Sequence, residues 1–297
     1  MRGAVIDLGT NTFNLIIFDK KGDHFEVLSS HKNAVNLGMG GINESMIAPD
    51  AKERALEALR EYSAKCHELG VQKIKAFGTS ALRGAKNARD LISIAKKKLN
   101  IDISVIDGMT EASLIYEGVK SVHEFKKPSC IMDIGGGSTE FILIDNGAII
   151  AKKSYDIGVS RIIQKFQLTD PLSDNNIQEI YSFFEHETNG FFKSIKSHDL
   201  IGASGSFETF FELVTGEKEF NLWKSTLIPF EKLIEKLDLI IASSFKERQN
   251  SPQIPEFRQI MIHVAALKTK WIIEQLEIRE CYISPASLKE GVIHTEF

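Results

Sequence analysis

Apolar and polar residues follow one pattern in two separated segments of the chain. Residues 4–19, AVIDLGTNTFNLIIFD, align without a gap on residues 130–145, CIMDIGGGSTEFILID. In each copy an apolar run meets an aspartate, Asp7 or Asp133, passes through glycine and hydroxyl residues, and returns to an apolar run that ends in an acid. Two strands joined by a turn have this pattern. The chain is therefore expected to contain two copies of one β-hairpin.

Periodic apolar positions after each hairpin predict further elements in one repeated order. The first half is expected to contain strands at 25–29, 71–77 and 101–106. It is also expected to contain three helices: one at 49–69, one that begins after an N-cap at Asn87, and one at about 111–119. The second half is expected to contain strands at 149–155, 200–203 and 281–284, and helices at 173–196, 207–214, 231–245 and 256–276. Both halves thus begin with three strands and continue with helices and strands that alternate.

Strands that alternate with helices predict an α/β protein with covered, mixed sheets. The duplication predicts two related domains with an interdomain cleft, and 297 residues with 43% hydrophobic side chains suffice to fill two cores. We expect a first domain at residues 1–118 and a second at 119–285. A C-terminal helix at 286–297 is expected to pack back on the first domain.

Charge and hydropathy exclude several classes of partner. With 36 basic and 40 acidic residues, the net charge of −4 argues against DNA binding through counterion release. No segment approaches the roughly 20 apolar residues of a membrane span, and Asp7 comes too early for a signal peptide. We expect a cytoplasmic protein with no DNA or membrane partner. The three cysteines are few and far apart, as buried thiols would be.

The turns of the two hairpins have the composition of a phosphate-binding loop. Glycine leaves backbone N–H groups accessible, and neighbouring hydroxyl and amide side chains add donors. The candidate phosphate-binding residues are Gly9, Thr10, Asn11, Thr12, Gly135, Gly136, Gly137, Ser138 and Thr139. Because a carboxylate repels phosphate, Asp7 and Asp133 predict a bound Mg²⁺. One Asp-x-Gly hairpin alone is more often only a turn, but two aligned copies favour a shared phosphate and Mg²⁺ site.

Other phosphate motifs are missing from the sequence. It has no Gly-x-x-x-x-Gly-Lys-Ser/Thr loop and no Gly-x-Gly-x-x-Gly that opens a helix after a strand. The segment GASGS at 202–206 lacks the last glycine of a nucleophile elbow. It is expected to precede a helix, so an anion contact at that helix N-terminus stays open.

Paired Asp-x-Gly hairpins in a duplicated fold resemble the ribonuclease-H-like superfamily, which includes actin, Hsp70 ATPase domains and sugar kinases. Further motifs are similar to one branch, the exopolyphosphatase/guanosine pentaphosphate phosphatase family. These motifs are IDLGTNT at 6–12, TSALR at 79–83, EASLIY at 111–116, DIGGGSTE at 133–140 and SLKEGVI at 287–293. The resemblance therefore runs from end to end.

The resemblance implies Mg²⁺-dependent removal of the terminal phosphate from inorganic polyphosphate, or of the 5′ phosphate from guanosine pentaphosphate. It places the water-activating glutamate at Glu111 and a phosphate-facing arginine at Arg83. It also adds Glu140 to Asp7 and Asp133 as a metal-site acid. From the residues alone, Glu111 is a first-turn helix acid favoured by the helix dipole, Arg83 is a solvated arginine at a helix start, and Glu140 is a strand-edge glutamate.

Three departures from the family pattern leave the preferred substrate open. Thr110 stands where a first glutamate is usual, Asn36 stands where relatives often carry arginine, and the 202–206 loop is less rich in glycine and threonine. The chain also ends near residue 300, without the helical extension of longer members, which favours short chains or nucleotides.

Two other functions compete with hydrolysis. One is a non-catalytic sensor of the same fold that binds a nucleotide or alarmone, and the other is a kinase, for which no acceptor pocket is recognisable. No histidine has metal-ligand spacing. The aromatic residues of the second half predict helix packing rather than a base-stacking platform, and a homodimer surface there stays open. They are Phe183, Phe184, Phe191, Phe192, Phe207, Phe210 and Phe211.

Overall fold

Two mixed β-sheets form the framework of the protein, seen in a computed structural model that describes residues 1–22 and 24–297. The first sheet has the order β3-β2-β1-β4-β5. Its strands are β1 (Arg2–Leu8), β2 (Phe13–Lys21), β3 (His24–Asn33), β4 (Lys73–Gly78) and β5 (Ile103–Val105). The second sheet has the order β10-β11-β9-β6-β7-β8. Its strands are β6 (Ser129–Ile134), β7 (Thr139–Asp145), β8 (Ala148–Tyr155), β9 (Asp199–Gly202), β10 (Thr226–Ile228) and β11 (Glu280–Ile283).

The two sheets repeat one topology. In the first, β2 pairs antiparallel with β1 and β3, and β4 lies parallel to β1. In the second, β7 pairs antiparallel with β6 and β8, and β9 lies parallel to β6. Even the irregularity is repeated, because β2 shifts register between Ile17 and Phe18 and β7 does so between Leu143 and Ile144. These are equivalent positions of the two aligned segments, and the predicted duplicated α/β fold is confirmed.

Helices cover both sheets. They are α1 (Pro49–Glu68), α2 (Ser80–Gly84), α3 (Ala88–Leu99), α4 (Gly108–Lys120), α5 (Val159–Lys165), α6 (Asp174–Thr188), α7 (Gly205–Thr215), α8 (Phe230–Ile241), α9 (Phe245–Asn250), α10 (Glu256–Gln259), α11 (Ile262–Leu276) and α12 (Leu288–Glu296). Within residues 1–22 and 24–297, no helix is both long and apolar enough to span a bilayer.

Most predicted elements are present, and the differences lie in short or divided ones. The helices α2, α5 and α9 and the strand β10 were not predicted, and the predicted helix at 256–276 is divided into α10 and α11. Asn87 precedes α3 but does not cap it with its side chain. Its amide instead bonds both the N–H and the carbonyl of Ile47, each at 2.9 Å. A local capping pattern cannot reveal this longer-range partner.

The alternation of side chains along the strands divides the core into layers and determines which way Asp7 and Asp133 point. Alternate residues of β1 and β6, such as Ile6 and Met132, pack against helices on the outer faces of the two sheets. The residues between them, Val5 and Ile131, pack in a layer between the sheets with α4 and α12. Because side chains alternate along a strand, Asp7 and Asp133 point to this inner side as well.

The helices α4 and α12 cross at closely spaced glycines in this inner layer. A Cβ on Gly118 would overlap the carbonyl of Ser287, and one on Gly291 would overlap the carbonyl of Leu114. The helix α12 packs on α4 and also contacts β1. The first sheet uses residues 2–105 and the second uses 129–283. A domain division at residue 118 stays a prediction.

The phenylalanine run of the second half packs inside the protein. Phe184 and Phe192 belong to the core on the outer face of the second sheet, and Phe183 and Phe191 pack against it. Phe192 contacts Phe141 and Trp271 edge to face at 5.0 and 5.6 Å between ring centroids. The prediction of helix packing is confirmed, and a homodimer stays a prediction.

Candidate active site

A cavity of about 210 Å³ lies where the turns of both hairpins meet the first residues of α4 and α12. Most of the predicted site residues line it: Asp7, Gly9, Thr10, Asn11, Thr12, Glu111, Asp133, Gly135, Gly136, Gly137, Ser138 and Glu140. Residues more than 120 positions apart in the sequence thus share one space. Two predicted members, Arg83 and Thr139, lie behind its wall.

The two turns have the same internal geometry and touch each other. Gly9 N–H donates to the carbonyl of Thr12 at 3.1 Å, and Gly135 N–H donates to that of Ser138 at 3.0 Å. A Cβ on Gly136 would lie 2.6 Å from the Asn11 side chain, and one on Gly137 would lie 2.7 Å from the Thr10 hydroxyl oxygen. Glycine is therefore required where the first turn packs on the second, as well as where N–H groups face a ligand.

Strand register places a polar partner opposite each aspartate. Asp7 pairs with Asn14 and Asp133 pairs with Glu140 in the two hairpins. The Asn14 amide donates to Asp7 Oδ2 at 3.2 Å. Ser154 donates to Glu140 Oε1 at 2.6 Å. The second hairpin therefore brings two carboxylates where the first brings one.

Burial makes these acids weak. It raises the pKa of Asp7, and it raises those of Asp133 and Glu140 to about 7. The neighbouring negative charges of Glu111 and Asp7 act on Asp133 in the same direction, while a hydrogen bond from Ser287 Oγ, at 2.8 Å, opposes them. A nearby cation would favour the ionised form of such a carboxyl group, whose pKa burial has raised.

Helix α4 carries Glu111 into the lining of the same cavity. Asp107 caps α4 by accepting hydrogen bonds from the N–H groups of Met109 and Thr110 at 2.9 and 2.8 Å, so Glu111 lies in the first turn. Burial raises the pKa of Glu111, and the charge of Glu140 raises it further, against the effect of Arg83. Glu111 is thus a buried carboxyl that faces the two turns.

Arg83 pairs with Glu111, whereas the sequence predicted that it faces phosphate. Its Nη1 donates to Glu111 Oε2 at 2.9 Å and to the carbonyl of Ile106 at 3.0 Å. This pair holds the Glu111 carboxylate from behind. The orientation depends on α2 following β4, a short helix that the sequence pattern did not reveal.

Thr139 is fully buried and its hydroxyl meets Lys268 of α11 at 2.8 Å. Lys268 also donates to the carbonyl of Ile157. The next residues along the chain then hold the second turn, because the N–H groups of Gly158 and Val159 donate to the carbonyls of Gly137 and Gly135. Thr139 therefore supports the turn from behind.

Several cavity residues have no recognisable signal in the sequence. Lys289 lines the cavity, and Glu290, Asp7, Glu208 and Asp133 raise its pKa against the effect of burial. Ser287 lies two residues earlier, in the SLKEGVI motif at 287–293, to which no site role was assigned from the sequence. Ser80 lines the cavity with a buried hydroxyl that has no hydrogen-bond partner among the described residues.

The three departures from the family pattern have different structural consequences. Thr110 is exposed and its hydroxyl donates to Asp107 at 3.0 Å, so it belongs to the helix cap and not to the cavity wall. Asn36 has a φ of 49° and its N–H donates to the carbonyl of Asn11, which supports the first turn. The 202–206 loop does reach the cavity, through Ser204, Gly205 and Ser206.

The donor set of the cavity fits a hard divalent cation. Carboxylate oxygens are the ligands that Mg²⁺ prefers, and the acids of the cavity lining outnumber its cations. The acids are Asp7, Glu111, Asp133, Glu140, Glu208 and Glu290, and the cations are Lys32, Arg258 and Lys289. In the described part of the chain, three potential ligand atoms lie within 4.8 Å of one another only in the group His198, Asp199 and Glu280. The cavity acids are spaced more widely, so substrate and water oxygens would complete a coordination shell there.

The group of His198, Asp199 and Glu280 lies at the other end of the second sheet. Asp199 and Glu280 begin β9 and β11, whereas Ala203 and Ser284, which follow these strands, line the cavity. Its members already bond protein groups. His198 contacts Asp199 at 2.6 Å, and Glu280 accepts from Lys127 at 2.9 Å and Tyr282 at 2.7 Å.

Two mixed β-sheets with one repeated topology are covered by helices, and the turns of their equivalent hairpins line one acidic cavity. This arrangement defines a protein of the ribonuclease-H-like class. Residues 16–297 match the model of the Ppx/GppA phosphatase family, and the chain belongs to this family. It is 35% identical, with a TM-score of 0.94, to a crystal structure of an exopolyphosphatase from Cytophaga hutchinsonii, covering 100% of this chain and 97% of that one.

Two further relatives broaden the comparison. An Aquifex aeolicus member of the Ppx/GppA family has a TM-score of 0.82 at 23% identity, over 100% of this chain and 97% of that one, and shares the fold. A guanosine-5′-triphosphate,3′-diphosphate pyrophosphatase of Pseudoalteromonas translucida is 28% identical over 98% of this chain. The chain spans 58% of the length of that relative.

Proposed function

We propose that the protein is a Mg²⁺-dependent phosphohydrolase that releases the terminal phosphate of inorganic polyphosphate or the 5′ phosphate of guanosine pentaphosphate. The observation that carries this proposal is Glu111, a buried carboxylate that faces both glycine turns across one cavity. Family membership and the names of the relatives from Cytophaga hutchinsonii and Pseudoalteromonas translucida support it.

Phosphate binding is assigned to the two turns. Residues of both turns line the cavity. The N–H groups of Gly9 and Gly135 close the turns, so the other N–H groups of the turns and the hydroxyls of Thr10, Thr12 and Ser138 would supply donors for phosphate oxygens. The buried hydroxyls of Ser80 and Ser204 lack partners among the described residues, and both residues line the same space. Since a buried hydroxyl normally finds a partner, these two favour an oxygen-rich ligand.

Asp7, Asp133 and Glu140 would hold the Mg²⁺, directly or through water. When bound, the ion offsets the negative charge of the phosphate beside these acids. The protein's own contribution is to keep the carboxylates oriented, through Asn14 on Asp7, Ser287 on Asp133 and Ser154 on Glu140. Lys289 adds a fixed positive charge in the same cavity.

Glu111 is assigned to the water. A carboxylate that accepts a hydrogen bond from water can orient it for attack on phosphorus and take its proton, which contributes about 10²- to 10⁴-fold in rate. The raised pKa of Glu111 suits this role, because a more basic carboxylate takes a proton from water more readily. Arg83 lowers that pKa and fixes the carboxylate from behind.

The size of the cavity bears on the substrate. Pockets that enclose a drug-sized ligand measure about 300 to 1,000 Å³, and this cavity is smaller. It suits the terminal phosphates of a substrate, while the rest of a polymer or nucleoside would extend towards its mouth. The same cavity residues would therefore bind the terminal phosphates of both proposed substrates.

The test compares the protein with Glu111→Gln and with Glu117→Gln, a charge-matched control on the same helix. With Mg²⁺ and either proposed substrate, the wild type and the control should release phosphate, and Glu111→Gln should lose about 10²- to 10⁴-fold in kcat. No release by folded wild-type protein would overturn the proposal. Tight calorimetric binding of guanosine pentaphosphate without turnover would identify the sensor instead.

A further inference from the structure

Two cations in the cavity lining, Lys32 and Arg258, share one carboxylate partner. Lys32 comes from the edge strand β3 of the first sheet, and Arg258 comes from α10 beside the second sheet. Both contact Glu208 of α7, at 3.4 Å from Lys32 Nζ and 2.9 Å from Arg258 Nη2. Glu208 therefore joins elements from the two halves of the protein across the cavity.

Arg258 is built into the wall independently of Glu208. It is 8% exposed, its Nη1 donates to the Thr209 hydroxyl at 2.9 Å, and its guanidinium lies 5.0 Å from the centroid of the Phe257 ring. A Cβ on Gly205 would overlap Nη2, so the loop before α7 is shaped around this side chain. A buried guanidinium needs an anionic partner, because leaving it unpaired is costly.

Glu208 satisfies these cations poorly. The same oxygen, Oε2, contacts both Lys32 and Arg258, so the guanidinium fork is not matched by two carboxylate oxygens. The Glu208 side chain is 46% exposed and can rotate towards solvent. Burial alone would raise the pKa of Glu208, but Lys32 and Arg258 lower it to about 2, so it stays an anion.

We propose that Lys32 and Arg258 form a subsite for a phosphate group of the substrate remote from the one that is cleaved, and that Glu208 is an internal carboxylate which occupies this subsite until the substrate displaces it. The inference rests on the proposed function for the identity of the anion. A phosphate group offers three oxygens, which suit the arginine fork and the lysine together better than one carboxylate oxygen does.

Lys289 lines the same cavity as the turns and the subsite. It lies close enough to Asp7, Asp133, Glu208 and Lys32 for its charge to act on each of them. A chain of phosphates that extends from the turns to Lys32 and Arg258 would therefore share the cavity with a third cation. Glu208 then sets how strongly an extended polyanion is preferred over a single phosphate.

The experiment measures binding of inorganic tripolyphosphate by calorimetry in a Glu111→Gln background with Mg²⁺, so that the ligand survives. Glu208→Gln keeps the size and a hydrogen-bond acceptor but removes the competing charge, and it should bind tripolyphosphate about five- to tenfold more tightly. Glu212→Gln, on the same helix and pointing to Lys218, removes the same charge and should bind as the parent does.

A double variant distinguishes competition between Glu208 and phosphate for the two cations from general repulsion of the ligand by a negative charge. In a Lys32→Gln background, which itself should bind several-fold more weakly, the gain from Glu208→Gln should shrink, because Glu208 then competes only for Arg258. Unchanged or weaker binding by Glu208→Gln, or a full gain that persists without Lys32, would overturn the inference. Absence of phosphate release by the wild type would instead count against the proposed function, because these binding measurements do not use turnover.

Discussion

Asp7 and Asp133 occupy the same position in the two hairpins, yet their neighbours differ. Asp7 faces an amide, Asn14, whereas Asp133 faces a second carboxyl, Glu140. Both aspartates have a raised pKa because they are buried. The duplication has thus kept the backbone while concentrating negative charge on the second hairpin, on the same side as Glu111.

The Arg83–Glu111 pair is the residue-scale contact that controls the proposed base. A hydrogen bond and the charge of Arg83 both lower the pKa of Glu111, opposing the effects of burial and of Glu140. If Arg83 acts through Glu111, its loss changes when the base is ionised. If it binds phosphate, as the sequence suggested, its loss weakens substrate binding.

We expect Arg83→Met to move the acidic limb of the pH–rate profile upward by about one to three pH units, because Glu111 then ionises at higher pH. The rate on the alkaline plateau should fall by less than about tenfold, and KM should change little. The exposed Arg89→Met removes the same charge and should leave the profile in place. A profile that stays fixed while KM rises would show that Arg83 contacts the substrate.

The element that decides the position of Glu111 is the pair of helices α4 and α12. They approach so closely at Gly118 and Gly291 that no side chain fits between them. The start of α4 carries Glu111, and the start of α12 carries Lys289 with Ser287 just before it. One helix crossing therefore sets the distance between the proposed base and the groups that support Asp133.

Gly291→Ala should force α4 and α12 apart and lower the free energy of unfolding by about 2 to 4 kcal/mol, since the added methyl meets backbone rather than a flexible side chain. Urea denaturation measures this change. Thr295→Ala lies one turn further along α12 in an exposed position, and its effect should stay within about 1 kcal/mol. Equal stability of both variants would contradict the close crossing.

At the scale of the whole molecule, the buried acids link stability to pH and to metal. Asp133 and Glu140 have pKa values of about 7, above the value near 4 of an unfolded chain. Between these two values the folded state binds more protons than the unfolded state. The free energy of unfolding therefore falls as pH rises through this window, and the acids favour folding only while they are protonated.

Without divalent ions, we expect the free energy of unfolding to decrease between pH 5 and pH 7.5 by an amount on the order of a few kcal/mol. Mg²⁺ should restore stability, and more so at pH 7.5 than at pH 5, because the ion binds ionised carboxylates. Asp133→Asn should reduce both the dependence of the free energy of unfolding on pH and the effect of Mg²⁺. The exposed Asp102→Asn should change neither. Stability that rises with pH in the metal-free wild type would contradict the burial of these acids.

The sequence by itself determined the duplicated hairpins, the α/β class and the pairing of the two turns. These depend on strand alternation and glycine-rich turns, which act within a few residues, and on the alignment of two such segments. The role of Glu111 came from the family resemblance and not from a local pattern. The position of Asp7 and Asp133 on the same side of their sheets follows from that alternation as well.

The tertiary structure alone decided which side chains support that site. Asn87 bonds Ile47 instead of capping α3, Arg83 turns to Glu111, and Lys268 holds Thr139 across more than a hundred residues. Lys289 enters the cavity because α12 returns to α4. Such contacts join segments that are distant in the sequence. A local pattern cannot predict them, because the partners come together only when the chain folds.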